Sequence, residues 1–403
     1  MIADKMVNLV NNSSVIREMF EEGKRLAGIY GAENVYDFSL GNPNVPAPKE
    51  VNDAIKALVN EEESTVLHGY MSNSGYEDVR AAIAQSLNRR FQTDFNESNI
   101  IMTVGAAGGI SVVFKAVVNP GDEIIAFAPY FGEYRAYAAN ADGRLVVVPP
   151  NTDTFQPDLE EFERLITPKT KAVIVNTPNN PTGVVYSEDT ITKMAEIMER
   201  KQKEYGTVII LFSDEPYREL AYDGVQVPYL TKYYANTVVG YSYSKSLSLP
   251  GERIGYIVIP DELDDSATIK TACNVATRIL GFVNAPSLMQ KVIGRCVDVD
   301  VSDNIAVYNR NRETLYKGLL DLGFECIKPE GAFYMFVKTP VDDREFCEKA
   351  KKYNILVVPG STFACAGFVR IAYCVSYDTI VNSLPKFAEL ATEFGITKQR
   401  GIL

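Results

Sequence analysis

The chain has 403 residues, 46 % of them hydrophobic, with 52 acidic against 40 basic side chains and a formal net charge of −12. This composition excludes a disordered, fibrous or low-complexity protein, and its acidity works against nucleic acid or an anionic membrane as a partner, because both recruit clustered positive charge. The length predicts two domains.

The start, "MIADKMVNLVNNSS", carries charges where a signal peptide needs an unbroken apolar run. No later segment keeps together the ~18 apolar residues that a membrane span requires, so a cytoplasmic protein is expected. The next segment, "SSVIREMFEEGKRLAGIYG", places Ile16, Met19, Phe20, Gly23, Leu26, Ala27 and Tyr30 on one helical face, with Ser13 or Ser14 as N-cap and Gly31 as stop. Short apolar runs then alternate with helical patterns: "IIMTV", "EIIAFA", "RLVVVP", "KAVIVN", "TVIILFSD", "NTVVGYS" and "RIGYIVIP". Such alternation predicts an α/β fold, a mostly parallel sheet covered by helices on both faces. After about residue 285 a long helix, "SDNIAVYNRNRETLYKGLLDLG", precedes the short strands "FECIK", "AFYMFV", "ILVVP" and "FVRIAYC" and a last helix from about Thr379 to Phe394. The expected division is a large domain over 46–285 and a smaller α+β domain made of 1–45 with 286–403.

All six cysteines (Cys273, Cys296, Cys326, Cys347, Cys365 and Cys374) fall in the last third without a C-x-x-C pair, which predicts reduced, mostly buried thiols and no metal site. His68 is the only histidine. An enzyme of this composition would move protons with lysine, tyrosine, a carboxylate or a cofactor.

In an open α/β sheet the chemistry gathers beyond the carboxyl ends of the strands. After "IIMTV" comes "GAAGGIS", small residues opening a helix, where an anion can approach backbone N–H groups; a tight strand-to-helix turn would look the same. After "KAVIVN" comes "TPNNPTG", which holds Asn179 and Asn180 at the sheet edge. "TVIILF" runs into "SDEPY", leaving Asp214 at the end of an apolar strand where a buried carboxylate needs a cationic partner. "NTVVGYS" leads to Ser242 and Lys245, and Arg253 opens the following strand. A lysine between two apolar strands either snorkels to water or is a desolvated amine able to attack a carbonyl. Together these ends hold an anion cradle, an asparagine, an Asp–Tyr pair, a lysine and an arginine, a set suited to a cofactor that is aldehyde, phosphate ester and pyridine in one.

From about Asp37 to Ala391 the sequence resembles the class I aminotransferases, pyridoxal-phosphate enzymes of fold type I. The matching segments are "SLGNP", "HGYMSNSGYEDVRAAI", "NTPNNPTG", "SDEPY", "SYSKSLSLPGERIG", "EGAFYMF" and "FVRIAY", in that order. The resemblance implies that Lys245 is the Schiff-base and proton-carrying lysine, that Asp214 binds the pyridinium nitrogen, and that Tyr217 and Asn180 hydrogen-bond the phenolic oxygen. It implies that Ala106, Ala107, Ser242 and Arg253 hold the phosphate, with Tyr70 reaching in from a second subunit of a homodimer with shared sites. Phe131 would stack on the ring, and Arg370, assisted by Asn180 and the Gly41 backbone, would clamp the substrate α-carboxylate.

The implied reaction moves an amino group between an L-amino acid and a 2-oxo acid by a ping-pong route, aspartate/glutamate-type or of broad specificity with 2-oxoglutarate. Alanine or aromatic transamination and C–S β-elimination are the alternatives. Phe131 stands where aspartate-specific relatives commonly carry tryptophan, which weakens an aspartate assignment. Arg278, Arg135 and Lys115 are the candidates for gripping a distal carboxylate.

Overall fold

Each of the seven apolar runs of the first two-thirds forms a strand of one sheet. The computed structural model describes residues 2–3, 6–7, 10 and 15–397, with the side chains at 15–18 and 20 left aside. In chain order the strands are β1 (Tyr36–Asp37), β2 (Ile100–Thr103), β3 (Glu123–Phe127), β4 (Arg144–Val148), β5 (Thr170–Asn176), β6 (Ile210–Asp214), β7 (Thr237–Ser242) and β8 (Gly255–Val258). They continue with β9 (Tyr334–Lys338), β10 (Ile355–Leu356), β11 (Val358–Pro359) and β12 (Phe368–Ala372).

The large sheet has the order β2-β8-β7-β6-β5-β3-β4. Strands β4, β3, β5, β6 and β7 pair in parallel, while β8 runs antiparallel to both β7 and β2. Strands buried on both faces read as continuous apolar runs, and their side chains alternate between two cores. Ile124, Ile174 and Phe212 pack on one face with the helix Gly105–Val117, whereas Ile125, Val173 and Leu211 pack on the other with Phe162 and Met194.

A separate cluster joins Phe38, Tyr308, Leu315, Phe333, Met335, Ile371 and Phe387, covering the three-stranded antiparallel sheet β11-β12-β9 with the helices Ser302–Asp321 and Tyr377–Glu393. The helix Ser287–Cys296 packs instead with the helices Lys49–Glu61 and Glu77–Phe91.

Three local expectations change. "FECIK" makes only an isolated bridge, Cys326 to Val337. "ILVVP" splits, β10 pairing in parallel with β1 and β11 antiparallel with β12. On the helix Val15–Tyr30, Met19, Gly23 and Leu26 are buried, but Tyr30, the last residue of the expected face, is exposed because the chain leaves the helix at Gly31 with φ 86°. Ser13 and Ser14 and the side chains of Ile16 and Phe20 lie outside the described residues. Among the described residues no helix is long and apolar enough to cross a membrane.

Candidate active site

Sheet order gathers the site. The strands bearing the singled-out ends (β2, β8, β7, β6 and β5) are five adjacent members of the sheet. Because β8 runs against its neighbours, its beginning, next to Arg253, meets the carboxyl ends of β2, β7, β6 and β5 on one edge. Register completes the row: Asn176 lies beside Asp214, Asp214 beside Gly240, and Ser242 beside Gly255.

A cavity of about 270 Å³ opens at that edge, lined among others by Gly41, Ala106, Ala107, Phe131, Asn180, Asp214, Tyr217, Ser242, Lys245, Arg253 and Arg370. Of the predicted site residues only Tyr70 is outside it, with 92 % of its surface exposed. Arg135, Arg278 and Lys115 do not line the cavity either; Arg135 donates to the Tyr130 hydroxyl at 2.8 Å, and the other two are exposed.

Lys245 lies in a single turn, Tyr243–Ser246, capped by the Ser242 hydroxyl, which accepts from the Ser244 N–H at 3.2 Å. Its Nζ donates to the Gly41 carbonyl at 2.7 Å and sits 5.3 Å from the centre of the Phe333 ring. Burial pushes the ammonium down from its ordinary 10.5 to about 8, with Cys374 opposing and Arg370 and Arg253 assisting.

Asp214 accepts from the Tyr134 hydroxyl through Oδ2 at 2.5 Å, and its buried Oδ1 has no partner. Burial raises its carboxyl to about 7, opposed by the Tyr134 bond. Arg370, 2 % exposed, donates from Nη1 to Asn180 Oδ1 at 3.0 Å and from Nη2 to the Ser39 carbonyl at 2.6 Å. Its Nε is buried without a partner, and its guanidinium lies between the rings of Tyr334 and Phe363, at 4.6 and 4.9 Å.

Arg253 donates to the carbonyls of Val104 and Pro250, at 3.2 and 3.1 Å. It lies against the first turn of the helix Gly105–Val117, where the backbone N–H groups have no intrahelical acceptor. Gly105 has φ +80°, a backbone conformation that favours glycine, and a Cβ there would come within 2.7 Å of Arg253 Nη2. Gly41 is similarly required: a Cβ would stand 1.9 Å from the Tyr334 hydroxyl.

Among the cavity residues not singled out from the sequence, Asn176, Tyr334 and Tyr137 bear on its polar geometry. Asn176 donates from Nδ2 to the Asp214 carbonyl at 2.9 Å and accepts from the Asn180 N–H at 2.8 Å, tying two strand ends together. The hydroxyls of Tyr334 and Tyr217 are 3.0 Å apart, and Tyr137 faces the same cavity. Asn176 was readable as the polar end of "KAVIVN"; the two tyrosines look like ordinary strand and helix aromatics.

The donor set fits a phosphorylated, protonated pyridine aldehyde. The unpartnered Asp214 Oδ1 requires a hydrogen-bond donor, the open helix N-terminus beside Arg253 suits a phosphate, and Lys245 supplies an amine.

The aminotransferase class I and II family profile matches residues 33–384, and the chain belongs to that family. A crystal structure of an amino transferase from Eubacterium rectale superposes with a TM-score of 0.94 at 49 % identity, covering 98 % of this chain and 99 % of that one. The aspartate aminotransferase of Thermotoga maritima is 28 % identical, covering 94 % of this chain and 97 % of the relative. Aromatic-amino-acid aminotransferase 2 of Thermococcus litoralis is 26 % identical, covering 95 % and 96 %. The chain is thus an aminotransferase of a family whose members use pyridoxal phosphate.

The Lys245 environment makes a prediction for the cofactor-free enzyme. An amine reacts with acylating reagents only when neutral, so labelling of Lys245 is expected to rise with pH through a midpoint near 8, read by peptide mass spectrometry after brief pulses. A midpoint at the ordinary 10.5 would contradict the buried environment.

Proposed function

We propose that the chain holds pyridoxal 5′-phosphate in this cavity and transfers amino groups between an acidic L-amino acid, or a broader set, and 2-oxoglutarate. The observation that carries this reading is that Lys245, Asp214 and Arg370 share one cavity while none of the three is spent in an ion pair with another described residue. When bound, the cofactor supplies an aldehyde that condenses with amines and a protonated ring that withdraws the electron pair left when a Cα–H bond breaks.

The protein's part is to bind, orient and move one proton. Arg253, the Ser242 hydroxyl and the N–H groups of Ala106 and Ala107 would hold the phosphate, with Phe131 beside the ring. Asp214 Oδ1 would accept from the ring N–H, and Tyr217 and Asn180 would hold the phenolic oxygen. Arg370 pairs with the substrate α-carboxylate, with Asn180 and the Gly41 backbone beside it, so that the carboxylate is retained and the Cα–H bond is the one exposed to the lysine. Lys245 Nζ would be the base that takes the Cα proton; its lowered affinity for protons suits a base working near neutral pH. Donor and acceptor would occupy the same cavity in turn, which gives ping-pong kinetics.

We also propose a cytoplasmic homodimer with shared sites. Tyr70 is exposed on a surface that also bares Val59 and Val66, and its place in "HGYMSNSGYEDV" suits donation to the partner's phosphate. The division into 46–285 against 1–45 with 286–403 is proposed as well, with the helix Ser287–Cys296 packed on the large-domain side of that boundary.

Two experiments test these assignments. In an absorbance screen of the loaded enzyme against single L-amino acids, aspartate or glutamate is expected among those that convert the cofactor. Arg370→Lys is expected to raise the amino acid concentration required by about tenfold or more while leaving cofactor affinity near the parent's, because an ammonium cannot pair with both carboxylate oxygens at once. Equal losses of both affinities would move Arg370 out of the substrate clamp. Secondly, Lys245→Ala and Tyr70→Phe, each crippled alone, are expected to recover activity towards about a quarter of the parent's when mixed with subunit exchange, since half the dimers then carry one intact site. Exchange without recovery would show that Tyr70 does not serve the opposite site.

A further inference from the structure

Asp214 ends β6 with 4 % of its surface exposed, and its side chain makes a single hydrogen bond, the one from the Tyr134 hydroxyl to Oδ2. Tyr134 opens the helix Tyr134–Asn140, is 1 % exposed, and does not line the cavity. It meets the carboxylate from outside the cavity lining. Its ring is fixed by neighbours, edge-on to Phe131 with centroids 5.7 Å apart and stacked with Tyr130 at 6.3 Å. Phe131 lines the cavity, so one tyrosine joins the residue expected against the ring face to the residue expected at the ring nitrogen.

We propose that Tyr134 is a positioning residue for the cofactor, holding Asp214 as an anion by its Oδ2 and so turning the unpartnered Oδ1 towards the ring N–H. This deepens the proposed function and rests on it. An ionised Asp214 would meet a cationic ring N–H with a full negative charge and either oxygen, whereas the protonated acid would offer only its neutral carbonyl oxygen and carry a donor on the other. Burial favours the protonated acid, as does the neighbouring Glu215 charge, although Glu215 is paired with Arg218 and accepts from the Ser213 hydroxyl. A phenol O–H donates more strongly to the ionised carboxylate than to the neutral acid, so it opposes both effects. The same bond leaves one oxygen anchored and one free, which selects the orientation before any ligand arrives. A tyrosine serving only as a core aromatic would need its ring and no particular acceptor.

The test compares equilibrium binding of two probes to the cofactor-free protein: pyridoxal 5′-phosphate, and its 1-deaza analogue in which the ring nitrogen is replaced by carbon. Tyr134→Phe keeps the ring and removes the hydroxyl. It is expected to weaken pyridoxal 5′-phosphate binding about tenfold, as for the loss of one charge-assisted hydrogen bond, and to leave the analogue's affinity unchanged. In an Asp214→Ala background the same substitution is expected to change neither affinity. Equal weakening of both probes would make Tyr134 a packing residue, and no weakening of either would also overturn the proposal. If Tyr134→Phe does not fold, Tyr134→His restores a donor at that place and is expected to keep the parent's discrimination between the probes; loss of that discrimination in a folded Tyr134→His protein overturns the proposal. A parent protein that binds neither probe would instead refute the cofactor reading itself.

Discussion

Four charged groups share one cavity without neutralising one another. Lys245 is held by the Gly41 carbonyl, Asp214 by the Tyr134 hydroxyl, Arg370 by Asn180 and the Ser39 carbonyl, and Arg253 by the carbonyls of Val104 and Pro250. Taking a charge out of water costs several kcal/mol, and the usual remedy, an internal ion pair, would have consumed the groups that the reaction needs. Here neutral donors and acceptors stabilise each charge and leave a remainder: an oxygen on Asp214, Nε on Arg370, and an amine whose hold on its proton is weakened. A ligand bearing a cationic ring and an amino acid bearing a carboxylate complete the pairing only when they bind.

The sheet makes this separation affordable in space. Five neighbouring strands each contribute one end to a single edge, so each charge is delivered by its own backbone segment. The antiparallel β8 brings the start of a strand to the edge where the others finish, and Arg253 arrives there beside Gly105, whose φ of +80° favours glycine. Arg370 comes from β12 in the separate three-stranded sheet, so the proposed substrate clamp and the proposed base reach the cavity from different sheets. A change in how those sheets pack would therefore alter the spacing between the two.

Much of this was legible in the sequence because strands buried on both faces announce themselves as apolar runs and their ends stand out by polarity. Asp214 and Lys245 are conspicuous for that reason, and the small residues after β2 mark the helix end beside Arg253. What escaped was chemistry carried by residues that also pack. Tyr134 and Tyr334 sit in "PYFGEY" and "AFYMF", where an aromatic is the ordinary filling of a helix or strand, and only their hydroxyl partners set them apart. "ILVVP" reads as one strand because its apolar run is continuous, but its two halves find different partners, a tertiary choice that local pattern does not encode. Tyr70 stands out by sequence context, yet the role proposed for it needs a second subunit, which one chain's sequence does not show.

The central claim is that one lysine among the 40 basic residues holds the cofactor. Borohydride reduction of the loaded enzyme fixes the cofactor covalently to whichever amine carries it, and peptide mass spectrometry then locates it. The account predicts the added pyridoxyl phosphate group on the peptide bearing Lys245, in stoichiometric amount and absent from Lys245→Ala. Attachment to any other lysine, or no attachment under conditions where the enzyme is fully active, would contradict it.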